Sequence, residues 1–165
     1  TTLRTPGLQE LPGVTFVSDM QWAKATAGAE NSVHRDTNYY GKPITLAGKS
    51  YPKGVWTHAF PDDTPADLAV ALPPGKYATF AADVGVEAAG GGGTVVFQVL
   101  VNGDVKAQSP VMAQGMVRRL RVDVAGATAV TLRVLNGGDG YACDHAAWGF
   151  ARFLEPGAKD PLEGQ

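Results

Sequence analysis

The chain has 165 residues and a formal net charge of −2, so it is long enough to form one domain with its own hydrophobic core. Charged residues make up 18 %, and the sequence shows no stripe of Lys and Arg, which argues against nucleic acid as the main partner. No apolar run approaches the ~18 residues of a membrane-spanning helix, so we expect no membrane span. The single cysteine, Cys143, excludes an intrachain disulfide.

The first part of the chain combines a loose arm, a short strand and a long loop. Residues 1–13 contain Pro and Gly without apolar periodicity, which predicts a linker or flexible arm. Residues 14–18 are rich in β-forming side chains, and Asp19 is placed to cap one or two helical turns after them. Residues 28–43 are polar and aromatic and predict a long loop, a feature that is often functional in compact domains.

Short strands separated by turn residues fill the middle of the chain. Ala47-Gly48 and Asn102-Gly103 are each flanked by β-forming residues and predict tight hairpins. Residues 118–124 alternate between apolar and polar side chains, and residues 94–101 place Val95, Phe97, Val99 and Val101 on one face. This alternation predicts strands with one buried face.

The last strand signal and the tail close the chain. Residues 143–153 place Ala146, Trp148 and Phe150 in phase, so we expect all three to point into the core. Residues 155–165 lack periodicity and predict a flexible tail.

The order of these elements predicts the fold class. About nine or ten short strands follow one another between residues 14 and 154, and no long amphipathic helix alternates with them. This pattern favours an all-β, antiparallel, jelly-roll-like β-sandwich over a parallel α/β sheet. Each sheet of a sandwich buries one face, which explains the period of two.

Several short motifs, taken together in their order and spacing, carry a resemblance to a known family. They are Ser18-Asp19 with Trp22 and Ala25; Arg35-Asp36; Ile44-Thr45-Leu46 with Gly48, Tyr51, Lys53-Gly54-Val55 and His58-Ala59; Phe80 with Asp83-Val84-Gly85-Val86; Val95-Val96-Phe97-Gln98-Val99; and Gly138-Asp139-Gly140 with Asp144-His145-Ala146-Ala147-Trp148. Over about residues 14–152 the chain resembles the NPCBM family, also called carbohydrate-binding module family 51.

The resemblance implies a galactose-binding-domain-like β-sandwich that binds carbohydrate, is not an enzyme, and is attached to a glycoside hydrolase or similar catalytic domain. It further implies recognition of galactose-containing or related glycans, a structural calcium, and a secreted, cell-surface or periplasmic location in a bacterium. The alternative is a structural or protein-interaction domain that has lost sugar binding. Departures from the family motifs at residues 27–29, Ala88 and Ala147 motivate that alternative.

Sugar sites combine aromatic faces that stack on the ring with polar side chains that hydrogen-bond the hydroxyls, often on loops. One candidate group lies in a single loop and consists of His34, Arg35, Asp36, Asn38, Tyr39 and Tyr40. The alternative is a packed loop with Tyr40 in the core and a surface pair between Arg35 and Asp36.

Two further candidate groups follow along the chain. Trp56 and His58, two residues apart on a strand, share one face and are candidates for ligand binding. Their alternative is a purely structural place in the core. Glu87 precedes the glycine run 90–93, where the backbone can approach a ligand closely. The alternative there is an ordinary mobile loop.

Acidic residues supply the metal and catalytic candidates. Asp139 and Asp144 lie around a Gly-rich loop, and with Asp19 they are candidate calcium ligands, because Ca²⁺ prefers carboxylate and carbonyl oxygens. Turn and capping roles are the alternative. Glycoside hydrolysis would need paired carboxylates that flank one cleft, and Asp83, Glu87, Asp139 and Asp144 are the candidates for such a pair. The sequence contains no nucleophile-elbow, HExxH or phosphate-loop motif, so we expect no catalysis.

Overall fold

The structure, a computed structural model, describes residues 11–28, 32–88, 92–138 and 144–163. Within these ranges fourteen strands follow one another, with a short 3-10 turn at Val17–Asp19. The strands are β1 (Val14–Phe16), β2 (Lys24–Ala25), β3 (His34–Arg35), β4 (Ile44–Leu46), β5 (Lys49–Tyr51), β6 (Gly54–His58), β7 (Ala66–Ala71), β8 (Thr79–Val86), β9 (Thr94–Val101), β10 (Asp104–Gln108), β11 (Met112–Ala113), β12 (Arg118–Asp123), β13 (Ala129–Asn136) and β14 (His145–Leu154). A search of the described ranges finds no helix with the length and apolar character to cross a membrane.

Two antiparallel sheets and a separate hairpin make up the domain. Sheet A has the order β12-β8-β14-β6-β3, with β1 beside β14. Sheet B has the order β10-β9-β13-β7-β2, with β11 beside β9. The hairpin is formed by β4 and β5. The predicted all-β, antiparallel β-sandwich is confirmed.

Aromatic side chains between the sheets anchor the main core. Phe97 of sheet B meets Trp148 of sheet A edge-on, with ring centroids 5.1 Å apart. Phe80 and Phe153, both from sheet A, lie 5.3 Å apart in the same core and are fully buried. Truncation of such a side chain to alanine costs about 3–5 kcal/mol. These rings therefore hold the two sheets together.

The alternating patterns correctly predicted the inward side chains of the central strands. Val95, Phe97 and Val99 of β9 are all buried in the main core. In β12, Val122 is buried in that core and Leu120 packs against it. The period of two is reliable here because these strands pair regularly along their length.

Both predicted hairpin turns are confirmed. Ala47 and Gly48 have φ values of 48° and 83°, and Asn102 and Gly103 have 50° and 88°. Positive φ at both central residues defines the type I′ turn, whose twist matches that of the flanking strands.

The β4–β5 hairpin covers part of the outer face of sheet A. Its side chains Ile44, Leu46 and Tyr51 form a second buried cluster with Ala147 and Phe150 of β14. Sheet A is therefore packed on both faces, which explains why β14 is almost continuously buried.

Gly149 allows the hairpin to approach this sheet closely. A Cβ atom at Gly149 would lie 2.6 Å from the Tyr51 ring, closer than real Cβ atoms approach a neighbour. The absence of a side chain at Gly149 therefore leaves the space that the Tyr51 ring occupies.

The expectation that Phe150 points into the main core is wrong. Its φ is 52°, and the pairing of β14 with β8 shifts register between Gly149 and Arg152. This bulge interrupts the period of two and turns Phe150 to the outer face. There its ring centroid lies 5.0 Å from that of Tyr51.

Residues 155–163, expected as part of a flexible tail, pack against the domain. Leu162 is buried in the outer cluster. Asp160 accepts hydrogen bonds from Arg152 Nη2 at 2.6 Å and Nε at 2.9 Å, and both side chains are almost completely buried. A buried arginine requires such a partner, and Arg152 thus ties this segment to β14.

Candidate functional site

Strand pairing in sheet A brings together the three histidines of the chain. His34 on β3 lies opposite Trp56 on β6, and His58 on β6 lies opposite His145 on β14. Residues opposite each other on paired strands point to the same face. Because Trp56 also pairs with Ala147 of the outer cluster, these side chains occupy the outer face of sheet A.

Two tyrosines complete a group of rings beside the β4–β5 hairpin. We name it the ring cluster, and its members are His34, Tyr39, Tyr40, Trp56, His58 and His145. The Trp56 centroid lies 5.1 Å from that of His34 and 5.2 Å from that of His145. Tyr39 lies 5.4 Å from Trp56. Tyr40 stacks on His145 with an interplanar angle of 23°.

The ring cluster has a buried floor and an exposed rim. Trp56 is inaccessible, and His58 is 6 % exposed. Tyr40 is 61 % exposed, the largest value among the exposed large apolar side chains of the described residues. The other three rings are partly buried. An approaching ligand would therefore meet Tyr40 and the three partly buried rings before the floor.

A buried amide and a buried carboxylate position the loop that carries the tyrosines. Asn38 Oδ1 accepts hydrogen bonds from the backbone N–H groups of Tyr40 and Lys42, at 2.9 and 3.0 Å. Its Nδ2 donates to Glu87 at 3.4 Å. Glu87 also accepts from the backbone N–H of Thr45 at 2.9 Å. Asn38 and Glu87 thus join the loop to β8 and to the hairpin.

The electrostatics of the ring cluster keep His145 neutral at pH 7. Burial, and secondarily the charge of the nearby His58, lower the pKa of His145 to about 4. Trp56 Nε1 and His145 Nδ1 are buried and have no hydrogen-bond partner in the part of the chain that the structure describes. Buried polar groups are usually paired, so these two atoms leave unused hydrogen-bonding capacity in the buried part of the cluster.

This arrangement can hold a flat ligand with one apolar face and hydroxyl groups around its edge. The tyrosine and imidazole faces offer apolar stacking surfaces. A neutral imidazole has one donor and one acceptor, and each tyrosine hydroxyl offers both functions. The rim therefore combines stacking with neutral hydrogen bonding.

Arg35 and Asp36, two predicted ligand-binding residues, serve other contacts. Arg35 follows His34 on β3 and extends to Trp22, with its guanidinium 3.6 Å from the ring centroid. It also donates to the Ser18 carbonyl at 2.6 Å. Asp36 accepts from Lys53 Nζ at 2.9 Å, and the surface pair between Arg35 and Asp36 that the alternative proposed is absent among the contacts described for this part of the chain.

Three of the predicted ligand-binding residues, Tyr39, Trp56 and His58, meet in the ring cluster, while Asn38 and Glu87 support it. The alternative that places Tyr40 in the core is wrong. Of the glycine run 90–93, Gly92 and Gly93 lie within the described residues. The structure adds His145, which was not among the predicted ligand-binding residues. Only the β6–β14 register reveals its place beside His58.

The described residues do not assemble the predicted calcium ligands. Asp19 accepts a hydrogen bond from Lys53 Nζ at 2.7 Å, and Asp144 accepts one from the Thr94 backbone N–H at 3.0 Å. Within the described ranges no group of three or more acidic, His or Cys side chains could hold a metal ion. Asp139 and Cys143 lie outside the described residues. Calcium at Asp19, Asp139 and Asp144 stays a prediction.

A family model decides the relationship of this chain to known proteins. The model of the NPCBM/NEW2 domain matches residues 13–154. The chain belongs to this family. This NPCBM/NEW2 domain is also 30 % identical over 148 residues to a Renibacterium salmoninarum protein named "Putative endo-alpha-N-acetylgalactosaminidase". The match covers 85 % of this chain and 9 % of that protein.

Solved structures of CBM51 domains share the fold of this NPCBM/NEW2 domain. The CBM51-2 and INT domains of Clostridium perfringens ZmpB, in complex with GlcNAc, match with a TM-score of 0.78 and 29 % identity, over 88 % of this chain and 32 % of that one. The CBM51 of C. perfringens GH95, in complex with methyl-galactose, matches with a TM-score of 0.77 and 27 % identity, over 86 % and 99 %. These matches confirm the galactose-binding-domain-like sandwich.

Proposed function

We propose that this NPCBM/NEW2 domain is a non-catalytic carbohydrate-binding module whose ligand stacks on the rim of the ring cluster. The observation that carries the proposal is the exposed Tyr40, which stacks on His145 at an interplanar angle of 23°, above a floor of buried rings. A pyranose has an apolar face and a polar edge, and both find complementary groups there.

The ligands of related domains support a neutral hexose. One CBM51 structure contains methyl-galactose and another contains GlcNAc. The ring cluster contains no Lys or Arg side chain. His145 is neutral at pH 7 because its pKa is lowered. We therefore propose galactose-containing or related neutral glycans as ligands.

The role of Glu87 supports binding without catalysis. Glycoside hydrolysis requires two carboxyl groups that flank the scissile bond. Glu87 accepts hydrogen bonds from the Thr45 backbone N–H and from Asn38, and so it holds the tyrosine loop. It is 1 % exposed, which keeps it away from a ligand on the rim.

The context of related domains supports a role as a targeting module. The chain spans 9 % of the Renibacterium protein, and a C. perfringens ZmpB structure combines CBM51 domains with an M60 catalytic domain. We propose that this domain is covalently linked to a catalytic domain in a bacterial enzyme that acts outside the cell. The domain would then hold that enzyme near its glycan substrate.

The alternative of a domain that has lost sugar binding rests on altered family motifs, and the positions of two altered residues, Ala27 and Ala147, weaken it. Ala147 is fully buried in the outer cluster, and Ala27 is 2 % exposed. Neither side chain forms part of the rim on which the proposed ligand stacks.

Calorimetric titration with galactose, N-acetylgalactosamine and GlcNAc tests the proposal. We expect the wild-type domain to bind at least one of them, and Tyr40→Ala to weaken that binding about tenfold, the size of one aromatic stacking contact. Val105→Ala is the matched control, because Val105 is 49 % exposed but lies on β10 of sheet B. A folded wild-type domain that binds none of these sugars, or an equal loss in both variants, contradicts the proposal.

A further inference from the structure

A cleft opens on the outer face of sheet A, between the β4–β5 hairpin and β12. Its volume is about 410 Å³, within the range of small-ligand sites. Its lining residues come from the hairpin, from β8, and from β12 with the residue before it, and they are Leu46, Ala47, Lys49, Tyr51, Asp83, Val117 and Arg119.

This cleft is separate from the ring cluster. No member of the ring cluster lines it. Asp83 lies in the floor of the cleft, whereas Glu87 supports the tyrosine loop of the ring cluster. Glu87 follows Asp83 by four positions, which is about 13 Å along an extended strand. The hairpin, which packs on sheet A through Leu46 and Tyr51, forms one wall of the cleft.

The carboxylate in the cleft is already hydrogen-bonded by protein groups. Asp83 Oδ2 accepts from the Tyr51 hydroxyl at 2.8 Å, and Oδ1 accepts from Arg119 Nε at 3.0 Å. Lys49 Nζ lies 3.9 Å from Oδ2, too far for a hydrogen bond. The Lys49 ammonium, about one-third exposed, thus faces the cleft with donors that Asp83 does not engage.

The charges around the cleft leave it positive. Lys49 and Arg119 contribute two positive charges and Asp83 one negative charge. Tyr51 adds none at neutral pH, because burial and its hydrogen bond to Asp83 raise the pKa of its phenol. The cleft therefore carries a net charge of about +1 in a chain whose net charge is −2.

The carboxylates of Asp160 and Glu163 take part in ion pairs next to the cleft, and the charge of Glu163 also acts on Arg119. Arg121 pairs with Asp160 at 3.1 Å and with Glu163 at 2.9 Å. Asp160 pairs with Arg152 as well. These two arginines and two carboxylates balance one another.

We propose that this cleft is a second binding site, for a small ligand that carries a carboxylate or sulfate group on a partly apolar ring, as an acidic sugar does. Lys49 and Arg119 hold the anionic group by charge-assisted hydrogen bonds. Ala47 and Val117, which are both exposed, contact the apolar face of the ring. The inference goes beyond the proposed function, because the ring cluster binds through neutral rings while this cleft binds through its cations.

Two-dimensional NMR of the ¹⁵N-labelled domain tests the proposal with four probes: glucuronic acid, N-acetylneuraminic acid, galactose 6-sulfate and galactose. We expect at least one acidic sugar to shift the amide signals of Lys49, Val117 and Arg119, while galactose leaves these signals unchanged. Comparison of the carboxylate probes with the sulfate probe shows which anionic group the cleft prefers.

Lys49→Gln is expected to weaken binding of the acidic sugar about tenfold, the effect of one charge-assisted hydrogen bond. Its ion pair is long and partly exposed, so the variant should melt at nearly the wild-type temperature. Arg118→Gln is the matched control, because it removes the same charge from a side chain on the opposite face of β12.

The proposal is overturned if no acidic sugar at about 10 mM, ten times a Kd of 1 mM, shifts the three signals of the wild-type domain. Equal weakening by Lys49→Gln and Arg118→Gln also overturns it. The galactose titration reads the ring cluster through the Tyr39 and Tyr40 signals in the same samples. Failure of the cleft is therefore distinguishable from failure of the proposed function.

Discussion

His58 and His145 lie opposite each other on β6 and β14, with ring centroids 5.1 Å apart and planes inclined by 60°. Burial, and secondarily the charge of His58, lower the pKa of His145 to about 4. A histidine in the unfolded chain has a pKa of about 6.5. Between these two values the unfolded state binds a proton that the native state does not, so stability decreases as the pH falls through this window.

We predict that the His145 ring titrates in ¹H–¹³C NMR with a midpoint near pH 4 in the folded domain. In His145→Gln, the loss of melting temperature between pH 6.5 and pH 4.5 should be smaller than in wild type, because this proton linkage is gone. Carboxylates titrate in both proteins, so the difference between their melting curves is the readout. A His145 midpoint near 6.5 would refute the assigned environment.

Asn38→Ala should lower both stability and sugar affinity. It removes the acceptor for the N–H groups of Tyr40 and Lys42, a loss of about 1–3 kcal/mol in the free energy of unfolding. Tyr40 then loses its fixed orientation and sugar binding weakens. Thr45→Ala is the control, since its backbone N–H can still donate to Glu87. Chemical denaturation and calorimetry check both effects, and unchanged affinity in Asn38→Ala would contradict the role of this loop.

Gly149→Ala should destabilise the domain by about 2 kcal/mol or more, because the new Cβ would overlap the Tyr51 ring. The hairpin must then move away from sheet A. Gly92→Ala is the control, since nothing lies within 4 Å of a Cβ at that position. Urea unfolding of both variants gives the comparison, and a Gly149→Ala curve that overlays wild type would exclude this packing.

Asp160→Asn should destabilise the domain by about 3–5 kcal/mol, because it leaves the buried Arg152 without an ionised partner. Glu163→Gln removes an exposed partner of Arg121 and should cost less than about 1 kcal/mol. Limited proteolysis should also cut residues 155–163 faster in Asp160→Asn. If the two variants unfold at the same denaturant concentration, the segment is not held by the Arg152–Asp160 pair.

Calcium removal tests the remaining metal prediction. If Ca²⁺ stabilises the fold through Asp139 and Asp144, EDTA should lower the melting temperature and added Ca²⁺ should restore it, since a ligand that binds only the native state stabilises it. Mg²⁺ added at the same concentration is the control, because it demands smaller, near-octahedral sites. A melting temperature insensitive to EDTA would remove this prediction.

Features that depend on a few neighbouring residues could be predicted from the sequence. The alternation in β9 and β12 gave the correct inward faces, because a strand's side chains alternate regardless of its partners. Ala47-Gly48 and Asn102-Gly103 were recognisable as turns because their residues tolerate positive φ.

Features that depend on residues far apart in the chain could not be predicted from the sequence. Phe150 was expected to face the main core, but it lies on the outer face of sheet A because a bulge in β14 interrupts the period of two. Residues 155–163 were expected to form a flexible tail, but they pack against the domain because Arg152 and Asp160 form a buried ion pair. Arg35 was predicted to bind the ligand, and its guanidinium lies over the Trp22 ring and donates to the Ser18 carbonyl.

The sequence by itself determined two stacked antiparallel layers with tight hairpin turns, since alternation and turn chemistry act over two to five residues. Only the tertiary structure decided the ring cluster, which unites β3, β6, β14 and a loop. His34 and His145 come into one group only through the register of strands far apart in the chain, and long-range register is set by the packing of the whole sandwich.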